Sequence, residues 1–314
     1  MPDQDSERMA AALAPRLALL RAIAAEGHLG RAAESAGLPQ PTASRWLAAL
    51  GSDLGLPVVA RRGRGILLTR AGRALAESAG RALTELESGC RQALAEVDPA
   101  RGHVALGFLH TMGGVRVPEL LRAFRAEHPG VQFTLSQGAH DALVRRVSDG
   151  AIDLALTSPL PTDESELSMT ALTRQSLVVT VPNGHRLAGR RRVRLAELAD
   201  EPFVGLKAGY GLRLITDQLC AEAGFRPTLA FEGEEADTVR GLVAAGLGVA
   251  VLPVAEPTGA PGAVELPISP RAYRRIGLVW AAHRPLPPAA RWFRDFAVHR
   301  EHQASERWAS SPRR

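Results

Sequence analysis

The chain has 314 residues, 46% of them apolar and 23% charged, enough for two or three separate cores and too apolar overall for a disordered chain. The formal charge is +5, but only Lys207 among the 38 basic residues is a lysine. A GC-rich coding bias explains such an arginine excess, so abundance alone says nothing about nucleic acid. Two distant cysteines, Cys90 and Cys220, form no metal-ligand or redox spacing, which fits a reducing compartment and argues against a disulfide scaffold.

In chain order, Leu13, Leu17, Leu20 and Ala24 predict an amphipathic helix over 13–25, stopped at Gly27. Its apolar run carries Pro15, Arg16 and Arg21 and lacks a small-residue cleavage site, and no later stretch reaches membrane-spanning length. The expectation is a soluble cytoplasmic protein. A short helix over 30–36 is broken by Gly-Leu-Pro-Gln, and Pro41 suits the start of a third helix over 42–50 because its missing N–H is not needed there. Trp46, Leu47 and Leu50 form that helix's apolar stripe, while Thr42, Ser44 and Arg45 occupy the other face. In "LPVVARRGRGILLT" two apolar pairs flank a basic tip, which reads as a small hairpin. From Thr69 to Val97 no proline interrupts a long helix, with Leu75, Ala79, Leu83, Leu86, Cys90, Leu94 and Val97 spaced by three or four. That spacing suits helix pairing, or packing of one face on its own domain. Thr69 is placed to cap the helix.

After a turn at 98–102 the pattern changes. The strands "HVALGFL", "VQFTLSQG" and "AIDLALTS" alternate with helices over 115–127 and 140–149. A strand over 175–182 follows. Then come "PFVGL", a helix over 211–223, "RPTLAFEG", a helix over 236–246 and "GVAVLP". A last strand, "IGLVWAAH", precedes a helix over 287–300 and a polar tail expected to be disordered. Such alternation implies two α/β units built on parallel sheets with helical crossovers.

Helix, tight turn, helix led by polar residues, basic hairpin: this order within about 40 residues reads as a winged helix-turn-helix. The second helix presents its leading end to the major groove, where short polar groups and an arginine reach base edges. Between Arg45 and Arg73 there are six arginines (45, 61, 62, 64, 70 and 73) against one acid, Asp53, a density suited to phosphate contact.

The stretches "LALLRAIAAEGHLGRAAESAGLPQPTASRWLAALGSDLG" and "ARRGRGILLTRAG" resemble the LysR-type transcriptional regulators, with agreement at Ala32, Ala33, Leu38, Gln40, Ser44, Arg45, Leu50, Leu54, Gly55, Arg61, Leu68, Thr69 and Gly72. "VPELLRAFRAEHPGVQFTLSQG", "SDGAIDLALT", "AGFRPTLAFE" and "GLVAAGLGVAVLP" resemble the family's ligand-binding half. His28, Ala36, Gly51 and the pair Val58-Val59 depart from the family's usual residues. The resemblance implies a winged helix-turn-helix over 1–68, a dimerising linker helix over 69–97, and an effector-binding domain over 98–300 followed by a tail over 301–314. That domain is two-lobed and Rossmann-like, as in periplasmic binding proteins: lobe I over 101–168 and 271–300, lobe II over 169–270. It also implies a homodimer or homotetramer on double-stranded promoter DNA, with a small effector between the lobes.

The residues carried over for DNA are Gln40, Pro41, Thr42, Ser44 and Arg45 on the reading helix and Arg61, Arg62 and Arg64 on the wing. For the effector, ligands sit beyond the carboxyl ends of strands in open α/β sheets. That selects His110 and Thr111, His140, Thr157 and Ser158. In the second lobe it selects Tyr210 and, as an anion partner, Lys207. Helix N-termini and hydroxyls on both sides favour a small organic anion. His110 and His140 have no further ligands at metal-site spacing. Nucleophile elbow, phosphate loop and zincin motifs are all lacking, and "GLGVAVLP" precedes a strand rather than opening a helix. The expectation is therefore a regulator with no catalytic residue and no cofactor. The competing readings are a solute-binding protein or α/β enzyme that recruited the C-terminal half, and an architectural DNA-binding protein without effector response.

Overall fold

The computed structural model describes residues 15–62, 65–97, 101–161, 166–255 and 261–309. The chain divides into two compact units, Met1–His103 with Asp149–Ala151, and Val104–Ser148 with Ile152–Arg314.

The first unit opens with α1 (Pro15–Glu26), α2 (Leu29–Ser35) and α3 (Gln40–Asp53). The hairpin β1 (Val59–Arg62) and β2 (Gly65–Leu68) pairs antiparallel from Val59 opposite Leu68 to Arg62 opposite Gly65. The long helix α4 (Arg70–Val97) follows. Leu19, Ile23, Ala32, Ala33, Ala43, Leu47 and Val58 form the core with Ala76 and Ala79 of α4. Trp46 and Leu50 are only partly buried, so the stripe of α3 is centred on Ala43 and Leu47. Two contacts join α4 to the hairpin. Thr69 Oγ1 accepts the Gly72 N–H at 3.0 Å, an N-cap that satisfies an otherwise unpartnered donor, and donates to Pro57 O at 2.8 Å. Gly72 lies so close to the hairpin that a Cβ there would stand 1.9 Å from Val58 O. Further along, Leu83 is fully buried and the Arg21 guanidinium pairs with Glu87 at 2.7 Å, so α4 also lies against α1. His28, where the family usually has serine, still caps: its Nδ1 accepts from the Gly30 N–H at 3.2 Å.

In the second unit β3 (His103–Leu109) leads through a short 3-10 turn to α5 (Arg116–Glu127), β4 (Gln132–Gly138), α6 (His140–Ser148), β5 (Leu154–Thr157) and β6 (Leu167–Pro182). After these come β7 (Pro202–Leu206), α7 (Gly211–Glu222), β8 (Thr228–Gly233), α8 (Ala236–Ala244), β9 (Ala250–Pro253), β10 (Ala263–Pro267), β11 (Tyr273–Ala281) and α9 (Pro288–Ala309). Strands β3 and β5 pair in parallel and are buried along their length, which is why both read as unbroken apolar runs.

The sheets depart from the all-parallel expectation. Strand β6 is far longer than the expected 175–182. Its first part, Leu167–Ser176, runs antiparallel to β11 in the first lobe. Its last part pairs antiparallel with β9 from Leu177 to Thr180 and with β10 from Val178 to Pro182, in the second. The boundary drawn at 168/169 therefore falls inside one continuous strand, and β10 had no counterpart in the sequence reading. Helix α9 runs on through Ala309, so the expected disordered tail does not begin at 301. Glu301, Gln303, Ala304, Glu306 and Arg307 are good helix formers, and the next proline is Pro312. Each lobe has its own core, one around Leu106, Phe124, Leu154 and Phe293, the other around Val179, Leu198, Phe203 and Val243.

Candidate functional sites: a reading helix and an interlobe cleft

On α3 the helical period separates two faces. Ala43 and Leu47 point into the core, while Gln40, Pro41, Ser44 and Arg45 are exposed and Thr42 is half-buried. Pro39 is the N-cap and makes no side-chain cap bond, with Pro41 in the first turn. Arg45 Nε bonds back to Pro41 O at 3.4 Å, which leaves the two terminal nitrogens available beyond the helix surface. Gln40 and Ser44 also border a groove of about 690 Å³ between α3 and β1, together with His28 and Gly51. Arg61 and Arg62 end β1 at the hairpin tip, and Arg64 lies outside the described residues.

In the second unit a cavity of about 280 Å³ lies between the lobes, at the height where β6 passes from one sheet to the other. His110, Thr111 and Gln137 line it from the first lobe, together with Gly114, Val115 and Arg116 at the start of α5. Glu235, Ala236, Asp237 and Arg240 line it from the start of α8. Gln175 forms part of the wall from β6. Neither N-cap, Val115 or Glu235, makes a side-chain cap bond, and the starts of both helices border this space.

Of the sequence-selected effector residues, the structure brings only His110 and Thr111 to this cavity. His140 and Thr157 are buried and bonded to each other, Nδ1 to Oγ1, at 2.8 Å. Burial holds the His140 imidazole below its usual value, against a smaller upward pull from Asp141. Ser158 is fully buried with its Oγ unpartnered, and a Cβ on Gly211 would come within 1.7 Å of Ser158 O. The lobes touch here: the Asp141 N–H donates to Gly209 O at 3.1 Å. Lys207 is ion-paired with Glu234 at 2.6 Å, and that carboxylate raises its ammonium above the ordinary value. It is not an unclaimed cation. The Tyr210 ring stands 6.1 Å from that of His110.

Arg274 was missed. It is 2% exposed, and Nε donates to Gln175 Oε1 and Nη2 to Thr111 Oγ1, each at 2.8 Å. Among the described residues no carboxylate is within ion-pair distance of it, and burial alone pulls its guanidinium down to about 10. Arg240, on the opposite wall, is by contrast neutralised by Asp237 at 2.9 Å and Glu265 at 3.1 Å. One signal was available: in "YRRIGLVW" strand alternation forces one of the two arginines toward the interior.

Comparison with known proteins identifies the two domains. Residues 15–73 match the model for the lysR family of bacterial regulatory helix-turn-helix proteins. Residues 98–301 match the LysR substrate binding domain. The uncharacterised HTH-type transcriptional regulator YybE of Bacillus subtilis is 36% identical over 284 residues, covering 90% of this chain and 97% of YybE. The effector-binding domain of QuiR, solved in complex with shikimate, is 30% identical, covering 65% of this chain and 98% of that one, with a TM-score of 0.62. An OxyR cysteine mutant of Corynebacterium glutamicum, solved with H2O2 bound, is 27% identical with 94% of each chain covered and a TM-score of 0.59. The chain belongs to the LysR family of DNA-binding transcriptional regulators, in which a helix-turn-helix domain is joined to an effector-binding domain.

Proposed function

We propose that this regulator reads operator DNA with the exposed face of α3 and is controlled by a small molecule bound in the cleft between its two lobes. Gln40, Ser44 and Arg45 face the bases, and the basic tip at 61–64 follows the phosphate backbone. The protein acts in the cytoplasm as a homodimer or homotetramer paired through α4, and none of its residues has a catalytic role. The observation that carries the effector reading is the cavity itself. It is bounded by both lobes where the continuous strand β6 passes from one to the other, so a ligand there bears on their relative position. Such a ligand shifts the balance of two states only by its difference in affinity for them. The ligand seen in the QuiR effector domain supports a small molecule in this half of the chain.

Thiol-based peroxide sensing is disfavoured despite the likeness to OxyR. A thiol reacts as its thiolate, and burial pushes Cys220 up to about 12, while Cys90 is buried on α4. The test is Thr111→Val on a reporter driven by the protein's own operator. The variant should keep its footprint and lose the response to metabolite fractions that shift the wild type. An unchanged response would refute the cleft as the effector site.

A further inference from the structure

Where β6 leaves the first lobe, it and β11 pair only with each other. Strand β5 meets β11 only from Gly277 to Val279, and β9 and β10 meet β6 only from Leu177 onward. Residues 173–176 and 273–276 therefore form a two-stranded ribbon. Strand alternation gives it two faces. On one, Gln175 lines the cleft and Arg274 is buried against it. On the other, Arg174, Ser176, Tyr273 and Arg275 are all exposed.

The register sets Arg174 directly opposite Arg275. Opposed residues on antiparallel strands hold their Cβ atoms about 5 Å apart, and like charges so placed repel. Other arginines of this unit hold carboxylates. Arg186 pairs with Glu201 at 2.9 Å, and Arg213 pairs with Asp217 at 2.8 Å and Glu232 at 2.6 Å. Among the described residues no carboxylate pairs with Arg174 or Arg275, and the Arg174 guanidinium lies over the Tyr273 ring instead, 4.7 Å from its centroid. The face thus gathers two uncompensated guanidinium groups beside the hydroxyls of Ser176 and Tyr273. A carboxylate fills one guanidinium fork. A phosphate group has a third oxygen and up to two charges, so it can accept from both forks at once.

We propose that the outer face of this ribbon is a seat for a phosphate group, bridged between Arg174 and Arg275 and bordered by Ser176 and Tyr273. The group removes the repulsion across the ribbon. It comes from inorganic phosphate or a small phosphate ester, or from the backbone of DNA, and the chemistry of the seat is the same. Because the same two strands carry Gln175 and Arg274 on their cleft side, phosphate on the outer face bears on the joint between the lobes.

The test uses inorganic phosphate, titrated calorimetrically into the full-length protein at pH 8 and at an ionic strength fixed with sodium chloride, with acetate as the control anion. Wild type should take up phosphate saturably, one per chain, and bind acetate at least tenfold more weakly. Arg275→Gln and Arg174→Gln should each weaken phosphate at least tenfold. Arg191→Gln removes an exposed arginine elsewhere in the same unit and should stay within twofold of wild type. Arg275→Glu gives Arg174 a partner across the ribbon. It should take up no phosphate and, in phosphate-free buffer, should melt no lower than wild type. No saturable uptake, phosphate no better than acetate, binding within twofold of wild type in Arg275→Gln, or equal weakening by Arg191→Gln overturns the proposal. So does a marked fall in the melting temperature of Arg275→Glu, which would show that Arg275 already holds a partner. A duplex without operator sequence separates the two sources. Displacement of phosphate by the duplex, with a salt slope of duplex binding reduced by about 1 in Arg275→Gln, supports the seat and assigns it to the DNA backbone. Phosphate uptake unaffected by the duplex, with the slope unchanged, supports it as a site for a small phosphate.

Discussion

The reading helix and the effector cleft are assembled by different kinds of order. The five residues proposed to face DNA on α3 fall within six consecutive positions, Gln40 to Arg45, and one helical period leaves Gln40, Pro41, Ser44 and Arg45 exposed while Ala43 points in. The cleft has no such local logic. Its central contacts join Arg274 to Thr111 across 163 positions and to Gln175 across 99. A function carried by one amphipathic helix can be read from spacing. A function carried by a strand crossing between two sheets emerges only once register is fixed.

The two units should therefore break separately, and the largest effects come from tight packing. Gly72→Val forces a side chain onto the Val58 carbonyl and should destabilise the first unit by about 2–4 kcal/mol, abolishing DNA binding while the second unit still unfolds at its wild-type temperature. Phe124→Ala should do the reverse. Phe124 is fully buried in edge-to-face contact with Phe293 and Phe296, ring centroids 5.1 and 5.4 Å away. Its loss should cost the second unit about 3–5 kcal/mol with the first unit's transition unmoved. Calorimetry on both variants checks the pair, and loss of both transitions in either would show that the units do not fold independently.

Smaller effects sharpen the same contrast. Thr69→Val removes the cap of α4 and should cost about 1 kcal/mol, seen as a lower first transition with footprint positions unchanged. In the second unit, the buried His140 imidazole lies below its unfolded value near 6.5. The unfolded chain then binds the extra proton more readily, so this contribution to stability is complete above about pH 6.5 and is lost as pH falls toward the lowered native value. His140→Gln should flatten that slope. An unaltered pH dependence of the second transition would assign it to other groups.

The legibility of the sequence follows the same division. The helix-turn-helix, the hairpin and the capped long helix were readable because apolar spacing, prolines and Thr69 act within a few residues of themselves. The parallel pairs β3–β5 and β7–β8 were anticipated from alternation with helices. The antiparallel course of β6 was not, because Leu167–Ser176 alternates too weakly to separate a strand from a loop, and only its pairing with β11 orders it. The strand-end rule reached His110 and Thr111. It also chose His140, Thr157 and Ser158, which end strands or begin a helix where the lobes close on each other. Lys207 was chosen for its charge, which Glu234 neutralises. Arg274 was overlooked because charge in a strand reads as solvent-facing, whereas here two neutral side chains hold it inside.

The most direct test of the account is selection of DNA fragments from the protein's own genome by the purified full-length chain, wild type and Arg45→Ala side by side, over a salt series. Arg45 is exposed on α3 and contributes nothing to the core, so its loss should leave folding and assembly intact. Wild type should enrich a few discrete fragments sharing paired half-sites, with affinity falling steeply as salt rises. Arg45→Ala should bind those fragments about 10–100-fold more weakly, the loss of one base-reading contact, with little change in non-specific binding. Enrichment of the same fragments to the same degree by Arg45→Ala, or even coating of all DNA by the wild type, would contradict the assignment of α3 as the helix that reads sequence.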